Sequence, residues 1–374
     1  MTTSEPTVQE TTTLRIASAN GFITRKILQT PPRDALPSEI PIIDIGPAFS
    51  ERSADREAVA HEIRKAATNN GFFYITNHGI PESVLQEAYN AGLQFFRQDM
   101  ETKMRSKSPD SNNFAGYFPP KSMEINPFEG KDVKEMFITR YDPRYDPDVA
   151  DVGDIPEHVR KSFHYYDTPW EATLPRFKDA MIRYCQEGLK LTRTLMRSFA
   201  LSLGLQEDYF DAKMQYPNIN TNMNYYPPMP KAAPGDSGEG AKASAFGSHT
   251  DFQVFTVLWQ DSIGGLQVLN REGQWINAPP IENTLIVNIA DLLQRITNDL
   301  YVSSVHRAVN ATSHERISMP LATGFGAHEV VSVANTCLGT EGKPKYDSIT
   351  VEEWVTKRLD NMIRLRQQVG AQVA

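Results

Sequence analysis

Cysteine is nearly absent from this chain: two in 374 residues, Cys185 and Cys337, far apart. Two isolated thiols build neither a disulfide framework nor a cysteine-rich zinc site, so both read as reduced and structural. Basic charge is short as well. Lysine and arginine number 38 against 46 aspartate and glutamate, a formal net charge of −8, the wrong sign for a protein that draws its affinity from a phosphate backbone. Nucleic acid is thereby excluded as a partner. No apolar run approaches the roughly twenty residues a membrane span needs, and the start, Met1-Thr-Thr-Ser-Glu-Pro6, has neither the basic nor the apolar region of a secretory signal. These absences predict a soluble, cytoplasmic protein with no membrane partner. Hydrophobic residues make up 40% and charged residues 22%, ordinary globular usage that excludes a coiled-coil rod, a collagen or wholesale disorder.

What is present falls into five stretches. Residues 1–38 are rich in Thr, Ser and Pro without a sustained period and predict an N-terminal arm laid on the surface. An N-terminal module, 39–155, opens with a short strand at Ile42-Ile43-Asp44-Ile45, a helix over 55–70 stopped by Gly71, an apolar strand Phe72-Phe73-Tyr74-Ile75 and a helix over 82–96. Its remainder, 104–155, is dense in Pro, Asp and Asn and reads as irregular. A helical middle, 156–215, carries a long helical pattern over 170–203 closed by Gly204. In the fourth stretch, 216–330, short β-branched or aromatic segments at 220–226, 255–260, 266–269, 274–277, 284–289, 303–309 and 316–325 alternate with turns, the spacing of a sandwich or barrel. The last, 331–374, is an extension ending in a helix over 351–367. Between two strands, 230–248 is dense in Gly, Pro, Ala and Ser, a composition suited to a lid over an entrance.

Chemistry concentrates in the β-rich stretch. His249-Thr250-Asp251 sets an imidazole and a carboxylate two residues apart, so an extended backbone turns both to one face. His306 follows in a strand whose alternate residues are Ser304, His306 and Ala308. Two His and one carboxylate on a rigid β scaffold form the facial set that suits non-haem Fe(II) with positions left open. Ten residues on, Arg316-Ile317-Ser318 is another i, i+2 pair, in which a guanidinium fork beside a hydroxyl makes a receptor for a carboxylate. Upstream, Asn222, Asn224 and Tyr226 share one strand face, and a polar face of that kind needs solvent or a polar ligand.

In this order and spacing, His249-x-Asp251, His306, Arg316-x-Ser318 and Asn224-Tyr225-Tyr226-Pro227, with Asp261-Ser-Ile-Gly264-Gly265-Leu266-Gln267-Val268 and Val287-Asn288-Ile289-Ala290-Asp291 between them, resemble the isopenicillin N synthase-like group of Fe(II)/2-oxoglutarate-dependent dioxygenases. The amino-terminal run Asn70-Gly71-Phe72-Phe73-Tyr74-Ile75-Thr76-Asn77-His78-Gly79-Ile80-Pro81 extends the likeness over nearly the whole chain. The resemblance implies a mainly β, α+β fold with a distorted double-stranded β-helix (jelly roll) core and helices packed outside. It implies iron held by His249, Asp251 and His306, and 2-oxoglutarate held by Arg316 and Ser318 with support from Tyr226 and Asn224. O2 is then the second cosubstrate and ascorbate a reductant. Tyr117, Phe137 and Asn222 stand where the family lines its substrate pocket. The implied reaction decarboxylates 2-oxoglutarate to succinate and oxidises a C–H bond of a small organic metabolite in a biosynthetic pathway, by hydroxylation, desaturation or ring rearrangement. Asp251 disfavours halogenation, because halide binds iron where that carboxylate is replaced by a small residue. Three rivals fit the same residues: an oxidase of this fold that uses no keto acid, a non-catalytic small-molecule-binding protein, and a zinc hydrolase with the same three ligands.

Overall fold

The computed structural model describes residues 10–19, 21–107, 115–162, 168–170, 174–228, 244–310, 312–340 and 342–373. The chain opens with a hairpin of β1 (Thr11–Ser18) and β2 (Gly21–Leu28), then β3 (Arg33–Asp34) and β4 (Ile42–Asp44). Helix α1 (Ser53–Thr68), β5 (Phe72–Thr76), α2 (Glu82–Phe96) and α3 (Met100–Met104) follow, then β6 (Gly116–Phe118), β7 (Glu135–Arg140), α4 (Glu157–Ser162) and the long α5 (Pro175–Ser202). The β-rich part runs through β8 (Asn218–Tyr226), β9 (Ser244–His249), β10 (Phe255–Gln260), β11 (Leu266–Leu269), β12 (Trp275–Asn277), β13 (Leu285–Ile289), α6 (Asp291–Ile296), β14 (His306–Val309) and β15 (Arg316–Gly324). A two-stranded pair, β16 (Val330–Val331) and β17 (Ile349–Thr350), leads into α7 (Val351–Val373). No described helix is long and apolar enough to cross a membrane.

Two sheets face each other. The larger has the order β4-β5-β13-β10-β15-β8-β7-β6 and the smaller β3-β12-β11-β14-β9. Alternate residues of the larger sheet serve two cores. Phe73, Ile75, Phe255, Val257, Val287, Ile317, Met319 and Leu321 pack outward with residues of α1, α2 and α5, while Phe72, Tyr74, Leu258 and Ile286 pack inward with Val268 and Ile276 of the smaller sheet. Burial on both faces is why these strands read as continuous apolar runs rather than alternating ones. Each large apolar side chain buried in this way contributes about 1.5–3 kcal/mol. The arrangement is the expected jelly roll with helices on one outer face.

Two expectations are corrected. Residues 11–28 form a hairpin, not an irregular arm: Leu14 and Ile16 are buried against Leu269, Trp275 and Val305, and β3 adds a strand to the smaller sheet. Alternation at Leu14 and Ile16 is too short to stand out among threonines, and its partner surface lies some 250 residues away. Likewise 104–155 contains β6 and β7, which extend the larger sheet beside β8. The lid assigned to 230–248 falls largely on 229–243, outside the described residues.

Candidate active site

β9 ends at His249, directly opposite His306 on β14. Asp251 enters from the turn that follows rather than from an extended strand, yet it meets both rings. Its Oδ1 lies 3.6 Å from His249 Nε2 and 3.8 Å from His306 Nε2, and the three groups can present one ligand atom each within 4.8 Å of one another. The remaining atoms are engaged. His249 Nδ1 donates to Gly247 O at 2.7 Å and His306 Nδ1 to Ser304 O at 3.2 Å, which leaves each Nε2 lone pair turned to the centre. Asp251 Oδ2 accepts from Thr256 Oγ1 at 2.6 Å and Asn288 Nδ2 at 2.8 Å, which leaves Oδ1 for the centre. Burial, reinforced by the neighbouring His249, pulls His306 down to about 4, so its ring is neutral at pH 7. Burial raises the Asp251 carboxyl, whereas positive charge on the His306 and His249 imidazoles and the hydrogen bond from Asn288 lower it, so the group lies below the usual carboxylate range and is ionised. Two ring nitrogens and one carboxylate with partners fixed behind them fit a six-coordinate divalent iron.

On the facing sheet, Arg316 pairs with Tyr226 and Ser318 with Asn224 across the β15–β8 ladder. Because Ile317 and Met319 point to the helices, Arg316 and Ser318 point between the sheets. Arg316 is 1% exposed and lies over the Tyr226 ring at 4.4 Å, yet its Nε and Nη1 have no partner among the described residues. A buried guanidinium left with free donors costs several kcal/mol, which a bidentate carboxylate would recover. Gly265 makes room for this arrangement. With φ at +102° it lets the backbone run 2.1 Å, measured from a notional Cβ, from Val309 O beside Arg316 Nε, a position no side chain could occupy.

Comparison with known proteins agrees with this chemistry. Residues 218–324 match the 2OG-Fe(II) oxygenase superfamily, and 40–158 match the family described as the non-haem dioxygenase in morphine synthesis N-terminal region. A 2-oxoglutarate-Fe(II) type oxidoreductase of Metarhizium rileyi is 52% identical over 362 residues, covering 95% of this chain and 96% of that protein. The chain belongs to the 2-oxoglutarate/Fe(II) oxygenases. Another oxidoreductase of that type, from Emericella nidulans, is 30% identical over 85% of this chain and 89% of its own. Among solved structures, full-length Neurospora crassa T7H in complex with alpha-KG superposes with a TM-score of 0.70 at 27% identity, over 86% of this chain and 96% of that one. The enzyme is therefore an oxidoreductase that uses Fe(II), 2-oxoglutarate and O2.

Within this oxygenase, two residues expected in the substrate pocket stand elsewhere. Tyr117 and Phe137 pair with each other and with Met223, on the face that packs against α2 and α5. Phe137 contacts Phe95 and Phe177, and the Tyr117 hydroxyl donates to Glu135, itself paired with buried Lys103 at 2.6 Å. One residue of parity separates the two faces. Their neighbours Phe118, Met136 and Ile138 share the face of Asn222 and Asn224. Asn222 does lie on the inner face, with a buried and unpartnered Oδ1.

Two further residues come from outside the motifs. Lys134 reaches into the same space, donating to Asn224 Oδ1 at 3.0 Å. Arg358, on the buried stripe of α7 with Trp354, Met362 and Leu365, pairs with Asp291 at 2.9 Å. That carboxylate also accepts from Thr250 Oγ1, while the Asp291 N–H donates to Asp251 O at 2.9 Å. The C-terminal helix thus braces the loop that carries Asp251. A 3.6-residue period that includes position 358 was the only signal for it in the sequence, and an arginine in an apolar stripe reads as an interruption.

Proposed function

We propose that this oxygenase acts in the cytoplasm on a small organic metabolite of a biosynthetic pathway, with neither nucleic acid nor membrane as partner. His249, Asp251 and His306 hold the iron in this reading. Arg316 and Ser318 hold the distal carboxylate of 2-oxoglutarate, Tyr226 supports the guanidinium from below, Asn224 flanks the keto acid, and ascorbate serves as reductant. Bound iron supplies the O2 activation that links decarboxylation of the keto acid to oxidation of a C–H bond. The protein's own part is placement. The Asn288 and Thr256 hydrogen bonds fix the carboxylate of Asp251, and the backbone carbonyls of Gly247 and Ser304 fix both rings. The apolar residues Met136 and Ile138 of β7, on the inner face, keep water from the C–H bond to be oxidised.

One observation carries the reading: the buried, unpartnered fork of Arg316 on the sheet that faces the His-Asp-His cluster. The test is succinate release from 2-oxoglutarate, measured against a panel of candidate metabolites with Fe(II) and air. Substrate-stimulated succinate formation supports it. Substrate oxidation with O2 uptake but no succinate would replace it by the oxidase that needs no keto acid.

A further inference from the structure

Lys134 is 4% exposed and lies two residues before Met136, so it shares the inner face with Met136 and Ile138. Its ammonium contacts neutral groups only: Asn224 Oδ1 at 3.0 Å and the face of the Phe246 ring at 3.2 Å from its centroid. Among the described residues no carboxylate forms an ion pair with it. The nearby Asp132 is already engaged, accepting the N–H groups of Gly247 and Ile125. Phe246 in turn lies 4.3 Å from the His249 ring. The cation therefore stands one aromatic ring from the metal position. A desolvated ammonium is strongly disfavoured unless an anion or a full set of acceptors surrounds it, and an ammonium has three donors to place. One amide oxygen and one ring leave that demand unmet.

We propose that Lys134 is a second carboxylate receptor in this pocket, distinct from Arg316, and that it binds the carboxylate of the organic substrate. The substrate class follows from the same face. Met136 and Ile138 offer apolar contact, and Asn222 Oδ1, two residues along the strand from Asn224, offers a free acceptor. The fitting molecule is a small organic acid with an apolar body and an N–H or O–H donor about 7 Å from its carboxylate, the rise of two strand residues. The inference rests on reading the site as a metal and keto-acid pocket.

The charged groups facing Lys134 are Asp132, Asp251 and Arg316. Burial, helped by Arg316, outweighs the opposite pull of Asp132 and Asp251 and brings its pKa down to about 7. A carboxylate prefers the ammonium form, so its affinity is greatest below pH 7 and falls as the pH rises toward 9.

The experiment is calorimetry on the full chain loaded with Mn(II) and saturating 2-oxoglutarate. The probes are benzoate, phenylacetate and N-acetylglycine, each beside its primary amide, at pH 6.5 and 8.5. Loading is itself measured first, so failure of the keto acid to bind identifies a fault in the underlying reading and not in this one. The expected result is acid preferred over amide by tenfold or more at pH 6.5, a smaller preference at pH 8.5, and none in Lys134→Gln, which keeps a donor for Asn224; Lys134→Arg restores part of it. A preference that survives in Lys134→Gln belongs to the metal and overturns the proposal. So does the absence of any acid preference in the wild type, or a Lys134→Gln defect confined to 2-oxoglutarate. If Lys134→Gln fails to fold, Lys134→Met, which leaves no buried charge, takes its place: an acid preference that survives in it overturns the proposal.

Discussion

At the His249–Asp251–His306 centre, each atom turned away from the metal position already has a protein partner, whereas on the wall formed by β15 and β8, Arg316 Nε, Arg316 Nη1 and Asn222 Oδ1 have none among the described residues. The two regions face each other across the same space. The first is finished by the fold: backbone carbonyls, Thr256 and Asn288 set the ligand atoms before any ion arrives. The second is left open, and leaving buried donors open is tolerable only where a ligand closes them during function. A metal with fixed geometry needs a preset cage; exchangeable organic cosubstrates need a wall that they complete.

The contrast can be broken at its strongest point. Asp251→Ala removes the one ligand that touches both rings. It should abolish turnover and reduce bound iron to a trace in metal analysis, while the melting curve of the metal-free protein stays close to wild type because the core is elsewhere. Full iron content in the variant would show that the centre is not built from these residues. A smaller loss is expected behind the ligands. Asn288→Ala and Thr256→Val each remove one of the two hydrogen bonds to Asp251 Oδ2 and should weaken iron binding about 10–100-fold, the usual effect of removing such an outer partner. Keto-acid affinity of the iron-loaded protein should change little, and a titration of each ligand separates the two. The mildest change is on the wall, where Tyr226→Leu removes the ring beneath Arg316. A cation–π contact of this kind is worth about 1–2 kcal/mol when desolvated, so 2-oxoglutarate should bind about five- to thirtyfold more weakly, with iron affinity intact.

The same contrast explains what could be read from the chain. His249-x-Asp251 and Arg316-x-Ser318 are legible because residues two apart in an extended or turning chain stay close whatever surrounds them. His306 joins them through its resemblance in spacing, and the ladder sets it opposite His249. Lys134, Arg358 and the β1–β2 hairpin act through contacts between residues far apart in sequence, Lys134 with Asn224, Arg358 with Asp291 and Leu14 with Leu269. Nothing local marks Lys134 as buried; in a stretch dense in Asp and Pro a lysine reads as solvent-facing. Tyr117 and Phe137 show the finer limit. The right strands carry them, but without the register of β6 and β7 against β8 the face is undetermined, and it is their neighbours that turn inward.

The claim that the wall is completed by a dicarboxylate is tested most directly by anaerobic titration of Fe(II) and then 2-oxoglutarate into wild type, Arg316→Ala and Arg316→Lys. Two charge-assisted hydrogen bonds at roughly 1.5–3 kcal/mol each predict a hundredfold or greater loss of keto-acid affinity in Arg316→Ala. Arg316→Lys should recover only part of it, because a point charge cannot make both bonds. Iron affinity should be the same in all three. Equal keto-acid affinity in wild type and Arg316→Ala would contradict the account.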